Sequence, residues 1–484
     1  MTVKRIAIIG GGISGLSAAF ALEQQRQAGT SLEYVLFESS SRLGGVLVTD
    51  HVAGCLVEAG PDSFLTEKPW AADLCRQIGI GDQLIGSNDA DRKTYILANG
   101  KLVVMPDGLM FMVPTKILPT VVSPLFSWGT KLRMASEWFH PPRKADKDES
   151  VAAMVERHYG SEMVDRLADP LLSGVYGGEA SQLSVRAVLP RFAEMEAKYG
   201  SLGRAMLKAR SVAASARKGK ASSRPLFSSL RDGMQQLIDA LVSRLTADSL
   251  VTNALVQSIR RDSENTWAVT ADYETAAFDG VVVAVPATAA SGIMRSCEPN
   301  LSAELLQISY SSSVTVTLGY DERVRKALPP GFGFLVPRSE GKRMLAATFV
   351  HNKFPHRAPE NRALIRCFLG GARDEAILQS PDPVIIEIVR RELDEILSLK
   401  DEPLFARVYK WKNAMAQYGV GHLDRLHRIE KYSANVPGVS LAGNGYLGIG
   451  VPDCVRSGTE AAARVLTAIG LAPKPAPVGQ SQNA

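Results

Sequence analysis

Cysteine is scarce in this 484-residue chain, and the five present (Cys55, Cys75, Cys297, Cys367 and Cys454) are widely spaced and form no C-x-x-C pair. Their odd number and spacing exclude a disulfide framework and a zinc site, and a reducing cytoplasm is expected. Unbroken apolar runs are also missing. Residues 117–130 are uncharged but contain Pro119 and Pro124, and the uncharged run from Tyr432 to Pro452 carries five glycines, so neither is a membrane-spanning helix. Lys4 and Arg5 precede an apolar stretch, yet that stretch is broken by glycines and continues into a charged helix without a small-residue cleavage site, so no export signal is read. Charge of one sign is lacking as well. The 55 basic and 50 acidic residues leave a net +5, too diffuse for a nucleic-acid surface and compatible with a small anionic substrate. The seven histidines are scattered, none spaced as a nucleophile's base, so no catalytic side chain and no metal ligand set is picked out. No internal repeat is visible.

An apolar content of 45% over this length is ample for two or three lobes. The most informative segment is the first. An apolar run centred on Ile6–Ile9 leads into Gly10-Gly11-Gly12-Ile13-Ser14-Gly15 and then Leu16 to Leu22, the order strand, glycine turn, helix. Such a turn offers a pyrophosphate the positive end of a helix with no side chain in the way. Gly10 permits the tight turn, Gly12 lets backbone approach phosphate, and Gly15 lets the helix pack closely on its strand. A second strand, Leu32 to Phe37, ends at Glu38, where an acidic residue accepts hydrogen bonds from the ribose of an unphosphorylated adenosine. Glu38 disfavours NADP and leaves NAD or FAD.

Ser39-Ser40-Ser41-Arg42-Leu43-Gly44-Gly45 decides between them. An arginine and a glycine pair just beyond the acidic residue let a second backbone stretch lie against the same pyrophosphate. This run resembles the second FAD fingerprint of the flavoprotein superfamily that includes amine oxidases, carotenoid desaturases and protoporphyrinogen oxidases. The fold class expected is α/β: a discontinuous, Rossmann-like FAD-binding domain with a mixed-sheet substrate domain and a helical lobe, of p-hydroxybenzoate-hydroxylase/amine-oxidase-like architecture.

The expected boundaries follow the pattern along the chain. Residues 1–100, 225–292 and 432–470 are assigned to the FAD-binding domain, 101–216 to the helical lobe, 293–431 to the substrate domain and 473–484 to a disordered tail. Ser211 to Arg224, basic and rich in small residues, is expected to be a mobile surface loop. Leu250–Val256, Ala268–Tyr273 and Phe278–Pro286 predict a strand, a hairpin and a buried strand, Gly331–Phe349 and Ala363–Gly371 further strands, and Asp382–Leu397 an amphipathic helix. Leu109 to Trp138 mixes Met110, Phe111, Met112, Leu125, Phe126, Trp128 and Trp138 with Lys116, Lys131 and Arg133, as a surface lying against lipid does. Burial in the helical lobe is the alternative, and peripheral attachment to the inner face of the cell membrane stays open.

Near the end, Val439–Asn444 predicts a strand and turn, followed by Gly448-Ile449-Gly450-Val451-Pro452 and a helix of small residues. Pro452 suits a first helical turn. In flavoproteins of this fold the amides around Gly450 and Val451 face the flavin edge that gains negative charge on reduction.

Further motifs narrow the resemblance. Ala59-Gly60-Pro61-Asp62-Ser63-Phe64, the stretch Asp169 to Gly178 with Leu183-Ser184, Phe227 to Met234, Trp411 with Gln417-Tyr418 and Gly421-His422, and the Gly448–Gly458 ending together resemble the protoporphyrinogen oxidase family, including bacterial members acting on coproporphyrinogen III. The resemblance runs from Val3 to about Gly470. Ala416 departs from it, replacing a usual proline. It implies FAD, held additionally by Gly60, Pro61, Asp62, Ser63, Trp411 and the backbone of Val256 at the adenine. It implies a six-electron oxidation of a porphyrinogen (protoporphyrinogen IX or coproporphyrinogen III) with dioxygen, in heme biosynthesis, and handover of the product to the next enzyme. Lys68 corresponds to a lysine meeting propionates in bacterial relatives, Arg92 is a second candidate, and Val175 is expected to line the cleft. Each has a plain alternative as surface charge or core. His422 is expected to be structural. Monomer and dimer both remain open.

Two other readings compete. An amine oxidase of the same superfamily should show a pair of aromatics facing the flavin, and the Trp411 region supplies one at most. A flavin-free binding protein on the same scaffold is opposed by intact Gly10, Gly12, Gly15 and Glu38.

Overall fold

The computed structural model describes residues 3–472 apart from 111, 144–146, 217–224 and 263–265. Phe111, the 473–484 tail and the 217–224 part of the expected loop therefore lie outside the described residues. Ser211 to Ala216 is not loop but the end of the helix Leu202–Ala216, where alanine and serine extend a helical register begun upstream.

Five parallel strands form the first sheet, in the order Leu250–Val251, Leu32–Phe37, Lys4–Ile9, Gly280–Val283 and Val439–Leu441. Its central strands read as apolar runs because both faces are covered; Ile6, Ala7, Ile8, Val281, Val282 and Val283 are fully buried. The first helix, Ile13–Gln27, and the last, Val451–Ala468, cross on one face with Leu16, Leu22, Ala461 and Val465 in a common core. Gly458 makes that crossing possible, since a Cβ there would lie 2.0 Å from the Ser14 carbonyl. The opposite face carries the meander Val256–Arg261, Trp267–Ala271 and Glu274–Phe278.

The second sheet has seven strands in the order Phe405–Ala416, Tyr310–Asp321, Arg362–Gly370, Met344–Phe349, Gly333–Leu335, Thr94–Ala98 and Lys101–Val104, antiparallel except where Gly333–Leu335 meets Thr94–Ala98. The helix Asp382–Leu397 covers it with Ile385, Val389 and Leu393. Thr94–Val104 thus belongs to this sheet, so the boundary expected at residue 100 moves upstream. The alternation of Tyr95 and Leu97 into this core with Ile96 into the helical lobe is what recruits the strand. The boundaries at 293 and 431 shift too, because Met294, Leu301, Leu305 and Ile429 share the first sheet's core.

Helices between Ile117 and Ala216 form the third lobe around Tyr159, Met163, Leu167 and Leu183. A buried clamp ties it together. The His158 ring meets Glu137 through Nδ1 and Glu196 through Nε2, both at 3.1 Å. Glu137 also accepts from Ser201 Oγ at 2.8 Å, and Glu196 from Arg157. Among the described residues no helix is long and apolar enough to cross a membrane.

Candidate functional site

The groove begins where two glycine loops touch. Gly10 has φ +105°, and a Cβ on it would meet the Ala284 carbonyl at 2.6 Å; a Cβ on Gly15 would lie 1.8 Å from the Gly10 carbonyl. Both glycines are thus required by the protein itself. Gly12 is different, because nothing lies within 4 Å of where its Cβ would be. The second loop is laced to the first: Gly44 N–H donates to the Gly11 carbonyl at 2.8 Å, and Gly45 sits against the Gly12 Cα. Gly12 caps the first helix without a side-chain bond, which leaves amides free to face an anion across an open surface. Ile13 packs into the first core and Ser14 is buried.

Glu38 accepts from Gly11 N–H at 2.7 Å and from Ser40 N–H and Oγ at 2.8 Å, with Ser39 Oγ at 3.4 Å. Three of these donors share Oε1, whereas Oε2 receives Gly11 N–H alone among the described residues, so a lone pair of Oε2 is left for a ribose hydroxyl. Ala254 N–H donates to the Glu38 carbonyl at 2.9 Å, which brings Val256, two residues on and buried, beside it. Arg42 bonds the Leu43 carbonyl at 2.9 Å and the Gly45 carbonyl, bracing its own loop. An adenosine diphosphate moiety fits these residues.

At the last helix, Gly448 takes φ +94° against Asp453, whose carboxylate accepts from Gly450 N–H at 3.3 Å and from Lys68 Nζ at 2.6 Å. Ile449 packs toward the helical lobe and Val451 into the first core. The loop before them is held by Tyr418 OH on the Asn444 carbonyl at 2.7 Å and by His422 Nε2–H on the Tyr446 carbonyl at 2.8 Å, the two rings stacking at 4.2 Å. His422 is therefore a brace. Tyr176, ending the helix Asp169–Tyr176, lies 6.2 Å from Tyr418 between ring centroids, and Val175 beside it is exposed. Arg92 is exposed on the turn before Thr94–Ala98.

The frame behind the Ala59–Ser63 loop carries no signal in the sequence. The Ala59 carbonyl accepts from Thr315 Oγ1 at 2.9 Å, Trp411 Nε1 at 2.9 Å and Arg366 at 3.3 Å, and Arg366 also reaches the Gly60 carbonyl. Asp62 is turned inward, its oxygens accepting from Lys353 Nζ at 3.0 and 3.1 Å and from Ser63 Oγ at 2.6 Å. Glu58 pairs with Arg357 at 2.6 Å, both essentially without solvent. Asp62, Ser63 and Trp411 thus present their polar groups to the frame behind the loop rather than to the groove; Gly60 and Pro61 form the loop's face. Burial alone would raise the Asp62 carboxyl, and the charges of Lys353 and Arg366 more than reverse it, holding it well below the usual range. Burial pushes the Tyr176 and Tyr310 phenols and the Cys454 thiol up to about 12. These groups keep their protons at neutral pH, so none is a base.

Residues 13–466 match the family model for flavin containing amine oxidoreductases. The coproporphyrinogen III oxidase of Bacillus subtilis is 34% identical over 96% of this chain and 98% of its own length. The mitochondrial protoporphyrinogen oxidase of Nicotiana tabacum is 28% identical over 96% of this chain and 95% of that one. A crystal structure of an Exiguobacterium protein, 29% identical, superposes with a TM-score of 0.85 over 96% of this chain and 99% of its own.

Proposed function

The chain belongs to the flavin containing amine oxidoreductase family, and from that premise we propose that it is an FAD-dependent oxidase that dehydrogenates a porphyrinogen to the porphyrin in heme biosynthesis. Bound FAD supplies a two-electron acceptor that dioxygen can reoxidise, so three turnovers remove six electrons and yield three hydrogen peroxides. The chain's own residues bind and orient. Glu38 and Val256 hold the adenosine end, Gly12 and Gly45 the diphosphate, and the amides of Gly450 and Val451 face the ring system with a helix dipole that favours negative charge there. No proton-abstracting side chain is needed: six hydrogens leave as three hydrides and three protons, two of the protons from pyrrole nitrogens and the third from a bridge carbon through imine–enamine tautomerism, and all three protons pass to solvent. An apolar, oriented cleft suffices.

One observation carries this reading: the open face of Gly12 beside Gly45, built from two loops a protein would have no reason to lace together over nothing. Coproporphyrinogen III is the substrate favoured, because identity to its oxidase exceeds identity to the protoporphyrinogen enzyme. Lys68, half-exposed on Asp453, is the cation for a propionate, with Val175 on the cleft wall and Arg92 as an outer attraction. Appearance of porphyrin fluorescence, followed with each porphyrinogen in turn, tests this. A preference for coproporphyrinogen III is expected; inactivity on both by FAD-loaded protein would end the proposal.

The helical lobe supports peripheral membrane contact. Leu118, Val122, Trp128, Leu132 and Phe139 are each about 70% exposed or more, and Lys131 stands over Trp128 at 4.7 Å. Apolar side chains rimmed by cations suit an anionic bilayer. Sedimentation with anionic vesicles should fall about tenfold in Leu132→Ser/Phe139→Ser; unchanged sedimentation would remove the membrane from the account.

A further inference from the structure

Behind the Ala59–Gly60–Pro61 loop lie five buried or half-buried ionisable residues, Glu58, Asp62, Lys353, Arg357 and Arg366. Four of them, Glu58, Asp62, Arg357 and Arg366, line a small cavity together with Thr317. Three buried polar atoms facing this region, Thr317 Oγ1, Arg357 Nε and Arg366 Nε, have no protein partner among the described residues. Three cations against two carboxylates leave the cluster positive, and buried charge of this kind is costly unless it is tied to something.

What Arg366 is tied to is backbone. Its guanidinium bonds the carbonyls of Ala59 and Gly60, and the first of these also receives Thr315 and Trp411. A peptide is planar and trans, so a carbonyl fixed toward the large sheet fixes the following N–H in the opposite direction. That N–H belongs to Gly60. Its neighbours have nothing to offer: Ala59 N–H is taken by the Val48 carbonyl at 3.0 Å, and Pro61 has none. Gly60 itself packs so closely on Val46 that a Cβ would lie 1.9 Å from the Val46 carbonyl, which places it one residue along from Gly45 on the groove's wall.

We propose that Arg366 is a positioning residue: with Thr315 and Trp411 it holds the Ala59–Gly60 peptide so that the Gly60 N–H and the dipole behind it face the redox end of the groove. Three donors on one carbonyl polarise the peptide and strengthen its N–H as a donor. The cluster's positive excess acts in the same direction, favouring electron-rich character in whatever ring lies there. Burial pulls the Arg366 guanidinium below its ordinary pKa while Asp62 and Glu58 support its charge. This inference rests on the flavin reading above and adds to it the residues that tune the site without touching the ligand.

The test is a reductive titration of FAD-loaded protein against a reference dye, with FAD affinity measured separately. In Arg366→Gln the reduced-to-oxidised flavin ratio at a fixed potential should fall about tenfold, ~30 mV for a two-electron couple, while FAD affinity changes less than about threefold because the glycine loops are untouched. Arg366→Lys should recover part of the shift by keeping the charge. Thr315→Val leaves every charge in place and should shift the ratio the same way by about threefold; it decides the matter should Arg366→Gln not fold. An unchanged ratio in Thr315→Val and in the folded Arg366 variant would overturn the positioning role alone. A wild type that takes up no FAD would overturn the cofactor reading and this inference together.

Discussion

The two ends of the groove are built on opposite principles. At the glycine end the chain approaches its ligand by leaving side chains out, and the contacts that matter, Gly44 to Gly11 and Gly45 against Gly12, are backbone on backbone. At the charged end the loop is carried by side chains, with Lys353 on Asp62 across 291 residues and Arg357 on Glu58 across 299. The first end tolerates nothing added at Gly10 or Gly15 but anything the ligand permits at Gly12. The second tolerates nothing removed. The lesson is that fit to a diphosphate needs little energy stored in the protein, whereas holding one peptide in a fixed direction needs a network.

The largest loss of stability is expected from Arg357→Met, which strands the Glu58 carboxylate in the interior and should lower the unfolding free energy by about 3–5 kcal/mol in denaturant melts. A cost below about 1 kcal/mol would show that the charged end is not a structural network. Gly12→Asp should do the reverse. FAD affinity should fall at least about a hundredfold, near 3 kcal/mol, with apo stability within about 0.5 kcal/mol of wild type. Retained flavin would mean that the ligand lies elsewhere.

The helical lobe extends the comparison to a clamp that serves no groove. Burial lowers the His158 pKa, but its bonds to Glu137 and Glu196 more than offset this, so the folded value is raised above 6.5. A raised value contributes stability below the unfolded pKa and loses it as pH rises through the folded one. His158→Gln should therefore cost about 1–3 kcal/mol near pH 6, and the gap to wild type should narrow on raising the pH past 6.5. A gap that widens with pH would contradict the clamp. A small effect on stability belongs to Lys68→Met. Its ammonium is 39% exposed on Asp453, so less than about 1 kcal/mol is at stake, while KM for the porphyrinogen should rise about tenfold with kcat nearly unchanged. Equal KM would free Lys68 from the substrate.

The glycine end was legible because glycine identity states its own geometry. Gly10, Gly15, Gly44 and Gly45 and the acidic Glu38 could be read in order along fewer than fifty residues. The strand at Gly280–Val283 was legible as an apolar run for a related reason, since a strand buried on both faces has no polar positions. The charged end carried no such signal. Lys353, Arg357 and Arg366 look like any basic residues, and only the folding of distant segments, two short helices and a strand, brings them behind the Ala59–Gly60 loop. Thr94–Ala98 was misplaced because its short apolar pattern says strand but not which sheet. Asp62 was read as part of the cofactor-holding Gly60–Ser63 loop, and nothing in its place along the chain signalled that its carboxylate pairs with Lys353. A hint was available in Asp453, three residues after Gly450, where an acidic residue completes a helix cap.

The central claim is that loops from both halves of the chain close on one dinucleotide. A crystal structure of the protein grown with FAD tests it most directly. Continuous density for one extended FAD is predicted, its adenosine at Glu38 and Val256, its diphosphate over Gly12 and Gly45, and its ring system between Gly60 and the Gly450–Val451 amides. Density for FAD that leaves Gly12 uncovered, or that engages one half of the chain without the other, would contradict it.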